Sequence, residues 1–337
     1  KLMIASVRTS LCAVVLGALA LPAIAQDNPT LTVYTYDAFA ADWGPGPALK
    51  QGFEAQCECT LDFVSANDSI SALRRAQLEG DATDADIILG LDTATIGEGK
   101  ATGLFTEHQL DLPDFDIPLE WTDDVFVPFD YGYFAFVYDS QSLSTPPTSF
   151  EELIALPDDF KIVIQDPRSS TPGLGLILWI KALYGEGAVD IWEGLAPHVL
   201  TVTSGWSESY DLFLSGEANM VLSYTTSPAY HLIAEDEDRY RAARFDAGHY
   251  TQIEVAGILA SSPNQELARD FLAYLVTPEG QAPLPETNWM YPVLEPQGGL
   301  NPGFAEMIDP QPALLLDAEE VTANTRAWIE EAFSTLR

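Results

Sequence analysis

"CTLDFVSANDSISALRRAQLEGDATDADIILGL" runs from Cys59 to Leu91. Its first part, Cys59–Ala66, reads as a strand. Ser69–Gly80 carries apolar residues at helical spacing and ends on a glycine, a common helix stop. Ala85–Leu91 is a short, continuous apolar run, as in a buried strand. Upstream, "LTVYTY" (Leu31–Tyr36) reads as a further strand, and "GPALKQGFEAQ" reads as a helix. The order βαβαβ predicts a parallel, doubly wound sheet.

A second unit of the same kind occupies roughly Asp139 to Tyr224. "FKIVIQD" (Phe160–Asp166) and "NMVLSY" (Asn219–Tyr224) read as strands, "GLGLILWIKALYG" and "SESYDLFLSGE" as helices. Between the units lies Val125–Asp139, a β-rich run long enough to cross from one lobe to the other. "QIEVAGILA" reads as one more strand. "NQELARDFLAYLVTPEGQAPL" and "AEEVTANTRAWIEEAFSTL" read as amphipathic helices, and "EDEDRYRAAR" as a charged surface connection.

The chain has 337 residues, more than one core comfortably serves. Residues 1–25 read as a secretory signal peptide: Lys1 and Arg8 are basic, Leu11–Ala25 is apolar, and "AIA" supplies small residues before Gln26. Export to the periplasm is the expectation. Cys12 stands at the start of the apolar run rather than after it, which argues against a lipid anchor. The whole chain carries 15 Lys and Arg against 51 Asp and Glu, and the leader takes two of the bases and none of the acids. That excludes a basic footprint for nucleic acid. It fits salt adaptation of the surface, and it fits a cationic ligand. Cys57 and Cys59 are the cysteines that remain; an exported chain favours a disulfide between them, and a short-range zinc or redox site is the other reading of C-x-C. The four histidines are scattered, so no metal site is expected.

Several predicted strands end in polar groups: Tyr36-Asp37, Asn67-Asp68, Asp92, Asp166, and Tyr224-Thr225-Thr226-Ser227. Ligands of open parallel sheets bind beyond the carboxyl ends of the strands. "DPRSSTPGLGLILW" (Asp166–Trp179) adds hydroxyls and a proline at a helix start, which fits a plain cap and an anion seat alike. It is not a Walker loop, and it lacks the third glycine of a dinucleotide fingerprint. Tyr36, Trp43, Trp206, Tyr224, Tyr230 and Trp289 sit at element ends in polar or Pro/Gly company rather than inside periodic runs. Aromatic faces stack on flat or cationic ligands. Carboxylates beside them suit a positive ring, and hydroxyls with helix amides suit a phosphate. Together they describe a zwitterionic ligand.

These segments resemble the periplasmic thiamine-binding proteins that feed ABC importers. The resemblance is carried by "LTVYTYDAFAADWGPGPALK", "VPFDYGYFAFVYD", "QDPRSSTPGLGLILW", "TVTSGWSESYDLFLSGE", "VLSYTTSPAYH", "GHYTQIEVA" and "NWMYPV". It implies an α/β type II periplasmic binding protein, with two lobes joined by crossing strands and the ligand cleft between them. One lobe would take residues 26–128 and 228–285, the other 129–227 and 286–337. Closure would hinge around Val125–Asp139 and Ser223–Pro228. The ligand would be thiamine, thiamine monophosphate or thiamine diphosphate, the partner a membrane permease, and the working form a monomer without cofactor or catalytic residue.

By motif match, Asp68 and Ser69 stand where the family contacts its ligand, with Ser69 in place of an expected glycine. Ser170, Thr171 and Trp206 are assigned to the phosphate or hydroxyethyl end, and Tyr36, Tyr224, Tyr230 and Trp289 to the rings. Asp37, Trp43, Thr225, Thr226 and Ser227 complete the expected pocket. Two other functions are known on such a fold. A thiamine-degrading enzyme of this fold would need a cysteine nucleophile, and the chain offers only the C-x-C pair. A ferric-ion receptor would need adjacent tyrosines, and Tyr224 is followed by Thr225.

Overall fold

The computed structural model describes residues 28–336; the expected leader lies outside them. Strand β1 (Thr30–Tyr36), helices α1 (Asp37–Ala40) and α2 (Gly46–Glu54), β2 (Thr60–Ala66), α3 (Ser69–Glu79), β3 (Ile87–Asp92) and α4 (Ile96–Ala101) come first. The long β4 (Phe126–Asp139) leads into α5 (Phe150–Ile154), β5 (Ile162–Gln165), α6 (Thr171–Tyr184), α7 (Ala188–Leu195), β6 (Val199–Thr203), α8 (Trp206–Leu214) and β7 (Met220–Tyr224). Then follow α9 (Pro228–Ala234), β8 (Tyr240–Ala242), β9 (His249–Ile258) and α10 (Gln265–Leu275). The chain closes with α11 (Pro278–Gln281), α12 (Leu284–Thr287), β10 (Tyr291–Pro292), β11 (Ala313–Leu314) and α13 (Ala318–Thr335).

The strands order as β2-β1-β3-β9-β4-β7-β5-β6. β1 is parallel to β2 and β3, and β5 is parallel to β7 and β6, as the repeated βα pattern predicts. Between these parallel sets lie β9 and β4, antiparallel to each other and to their outer neighbours β3 and β7. The first half of β4 pairs with β9, and Phe134–Tyr138 pair with β7, so one strand belongs to both lobes. The second long strand at the junction is β9. Ser223–Pro228 instead ends β7 and opens α9.

Each lobe has its own core. Leu31, Val33, Phe39, Phe53, Val127 and Phe271 pack in one. Phe134, Phe136, Phe150, Trp179, Trp192 and Met220 pack in the other. Each such side chain contributes about 1.5–3 kcal/mol on burial. Helix α6 is apolar on nearly every face because it is buried along most of its length.

Two stretches differ from their sequence reading. The helix expected through Asn264–Leu284 breaks after Leu275, where Pro278 cannot donate to the preceding turn. There Thr277 caps α11 by accepting from the Gly280 amide at 3.1 Å. "EDEDRYRAAR" is not all surface connection: β8 adds to the end of β4, with Tyr240 and Ala242 buried and Arg241 exposed. The surrounding charges mask that alternation in the sequence. Cys57 and Cys59 form a disulfide just before β2, with Cα atoms 5.2 Å apart. Among the described residues no helix is long and apolar enough to cross a membrane.

Candidate functional site

The carboxyl ends of β1, β2 and β7 meet the N-termini of α6 and α8 around a cavity of about 770 Å³. Of the expected residues, Tyr36, Asp37, Trp43, Asp68, Ser69 and Thr171 line it. Trp206, Tyr224, Ser227, Tyr230 and Trp289 also line it. Ser170, Thr225 and Thr226 are fully buried and do not line the cavity. The Thr225 amide donates to the Tyr133 carbonyl at 2.8 Å, tying the end of β7 to β4. Asp166 is turned away as well; it pairs with Arg168, whose Nε lies 2.9 Å from Oδ1.

The aromatic walls are held by specific contacts. Trp206 stacks on Tyr210 with centroids 4.7 Å apart, and its Nε1 donates to Ser223 Oγ at 2.8 Å. Ser223 and Ser227 share a 2.7 Å hydrogen bond behind it. Tyr230 meets Trp289 edge-on at 5.5 Å. Trp289 has φ +57°, a left-handed conformation that bulky side chains rarely adopt. Such strain persists only where the surroundings enforce it, and it concentrates at working sites. Trp43 is 57% exposed and forms part of the rim.

Asp68 changes the reading of the hydroxyl-rich loop. Ser170 is the N-cap residue of α6 but makes no side-chain cap bond. The charge at that helix end comes from Asp68, at the end of β2 in the other lobe. Asp68 accepts from the Ser69 amide at 2.8 Å, from the Thr171 amide at 3.4 Å and from the Trp206 amide at 3.3 Å. One carboxylate thus answers three helix N-termini, where an anion is favoured. Burial pushes its pKa up to about 6, opposed by the nearby Ser170 hydroxyl and by the Ser69 and Thr171 amides. Neighbouring bonds extend the seam between the lobes. Ser207 Oγ donates to Asp37 at 2.9 Å, Asn67 Nδ2 to Ser204 Oγ at 3.1 Å, and the Ser71 amide to the Ser169 carbonyl at 3.1 Å. Gly205 lets the lobes meet: a Cβ there would lie 2.4 Å from the Asn67 carbonyl oxygen.

The cavity wall also holds residues that the sequence reading missed, Glu254 and Asn288 above all. The Tyr36 hydroxyl donates to Glu254 Oε2 at 2.8 Å and accepts from Asn288 Nδ2 at 2.9 Å. The same amide nitrogen reaches Asp130 Oδ2 at 2.6 Å. Glu254 on β9 lies directly opposite Asp92 on β3 and Asp130 on β4. Both neighbouring strands carry a bulge beside this row, at Gly90 and at Phe129. Gly90 has φ +102°, and a Cβ there would stand 2.5 Å from the Tyr36 ring. Burial pushes Asp92 up to about 7 and Asp130 up to about 8. Burial and then Asp130 raise Glu254 well above the usual carboxylate range. Carboxylates are thus abundant here, whereas among the described residues no Lys, Arg or His lines the cavity.

Residues 29–282 match the family described as bacterial extracellular solute-binding protein. The thiamine-binding periplasmic protein of Escherichia coli (strain K12) is 49% identical over 304 residues, covering 90% of this chain and 92% of that one. That of Brucella suis biovar 1 is 48% identical over 307 residues, covering 91% and 92%. A solved structure described as a periplasmic thiamin binding protein superposes with a TM-score of 0.89 at 48% identity, covering 92% of this chain and 97% of its own. The chain belongs to the bacterial extracellular solute-binding proteins, and within them to the periplasmic thiamine-binding proteins.

Proposed function

We propose that the chain is the periplasmic thiamine receptor of an ABC importer and that the cavity between its lobes holds the vitamin. The observation that carries this reading is the pairing of aromatic walls with carboxylates in a cavity that, among the described residues, is lined by no base. Thiamine is a flat, cationic, drug-sized ligand, and a cavity of about 770 Å³ is of suitable size. Each cation–π contact contributes about 0.5–2 kcal/mol. In this reading Tyr36, Tyr224, Tyr230 and Trp289 take the rings, and Thr171 and Trp206 lie at the hydroxyethyl end with Ser170 behind them. Asp37, Trp43, Asp68, Ser69 and Thr225–Ser227 shape the pocket and its seam. Thiamine monophosphate and diphosphate are further ligands, and the protein works as a monomer that passes its cargo to a membrane permease.

The receptor carries the ligand unchanged. Cys57 and Cys59, the cysteines a degrading enzyme would have to use, are joined to each other. The test is calorimetric titration with thiamine, its monophosphate and its diphosphate, followed by mass spectrometry of the ligand. Binding of thiamine at micromolar concentration or below, with no change in its mass, is expected. No heat from any of the three overturns the reading, and a cleaved product overturns the carrier role.

A further inference from the structure

Asp92, Glu254 and Asp130 occupy directly opposed positions on three neighbouring strands. Like charges so placed destabilise a sheet, and these are 1%, 4% and 0% exposed. Asp92 is well supplied with donors: the amides of Ala94 and Thr95 and the Thr95 hydroxyl reach its Oδ1 at 3.0–3.1 Å. The other two are not. Among the described residues, Asp130 Oδ1 has no hydrogen-bond partner and Glu254 Oε1 has only the Gln252 amide at 3.5 Å. The titratable groups that face Glu254 are Tyr36 from β1, Asp68 from the end of β2, Asp92 from β3, Asp130 from β4 and Tyr224 from β7. None of them brings a positive charge. Of the three acids in the row, Glu254 alone lines the cavity.

We propose that Glu254 is the counter-charge to the ligand's cationic ring, and that the ligand enters in exchange for one proton held by the Glu254–Asp130 pair. This rests on the reading of the cavity as a thiamine site and deepens it. In the empty protein, burial and mutual repulsion keep a proton on the pair. A ring cation beside Glu254 replaces that proton, which leaves for solvent. The charge enclosed by the cavity is the same before and after. The Tyr36 hydroxyl fixes Oε2, and Asn288 links Tyr36 to Asp130, so the pair keeps its geometry during the exchange. An uncharged ligand of the same shape leaves the proton in place and forfeits the ion pair.

The test is calorimetry of the mature protein with thiamine in phosphate and in Tris, at pH 6.5, 7.5 and 8.5. The expected result is a buffer-dependent heat equal to about one proton released per thiamine, with affinity rising by up to about tenfold per pH unit. Glu254→Gln keeps the shape of the side chain. It is expected to release no proton and to lose about tenfold or more in thiamine affinity. Its affinity for 3-deazathiamine, the uncharged isostere, should stay within about threefold of the wild type. Thiamine binding by the wild type with no proton release overturns this proposal and leaves the thiamine reading standing. Equal loss of thiamine and isostere in the variant also overturns it. No thiamine binding by the wild type overturns both.

Discussion

Asp68 occupies the amides that the sequence offers to a phosphate. It caps α3 in its own lobe and faces the first turns of α6 and α8 in the other. A phosphorylated ligand reaching that end would have to share those donors with a carboxylate, at a cost in like-charge repulsion. Asp68→Asn removes the charge and keeps the size. Titration of the variant is expected to raise the affinity ratio of thiamine diphosphate to thiamine by about tenfold. An unchanged ratio would place the phosphate elsewhere. The hydroxyls and aromatic residues of this end were legible because they stand at element ends in polar company. Asp68 was legible as a strand-end position and, by motif match, as a ligand contact; its hold on the amides of α6 and α8 was not, since nothing local links residue 68 to residues 171 and 206. Glu254 left a faint signal: a single acid inside the apolar run "QIEVAGILA".

At the scale of the strand and helix, two bulges decide which acids meet. Counting by twos along β3 puts Asp92 with Ile88, and along β4 it puts Asp130 with Phe126. That face packs against Tyr34 and Val255. Glu254 counts instead with Ala256 and Ile258, which face the other core. Each bulge adds one residue and turns its acid onto the face of Glu254. The strands themselves were readable from their apolar runs, but the acid row was not, because strict alternation points its members apart. The helix ends of the seam are equally specific. In Gly205→Ala the new methyl would press on the Asn67 carbonyl, an overpacking worth about 1–3 kcal/mol. Lobes that part in the absence of ligand escape this contact, so the expected result is thiamine affinity lowered by about tenfold, with the melting temperature of the ligand-free protein nearly unchanged. A variant that binds as tightly as the wild type would show that the lobes need not meet there.

For the molecule as a whole, the buried acids tie stability to pH in an unusual direction. Asp92 and Asp130 have folded-state pKa values above their unfolded ones. They bind more protons folded than unfolded, so their contribution is complete below the unfolded value and is lost as pH rises through about 7 and about 8. The buried His249 is held down to about 4 and acts in the opposite sense, but only below its unfolded value near 6.5. Between pH 6.5 and 8.5 the ligand-free protein should therefore lose about 3 kcal/mol. Urea unfolding at the two pH values reads it, and Asp130→Asn should flatten most of the slope. A flat wild-type profile would mean that the row is ionised throughout. The two-lobed architecture was legible from the repeated βα pattern, whereas the antiparallel placement of β9 was not, because its pairing joins residues far apart in sequence.

The continuous sheet has a consequence for unloading. Glu254 lies on β9, at the junction of the lobes, so parting the seam brings water close to it. Attraction between unit charges scales inversely with the local dielectric, which rises from about 20 in a protein site to about 80 in water. Under the proposed reading, a permease that merely admits water to the cavity weakens the ion pair about fourfold without touching the ligand. Wetting, rather than traction on the cargo, would then be the release step.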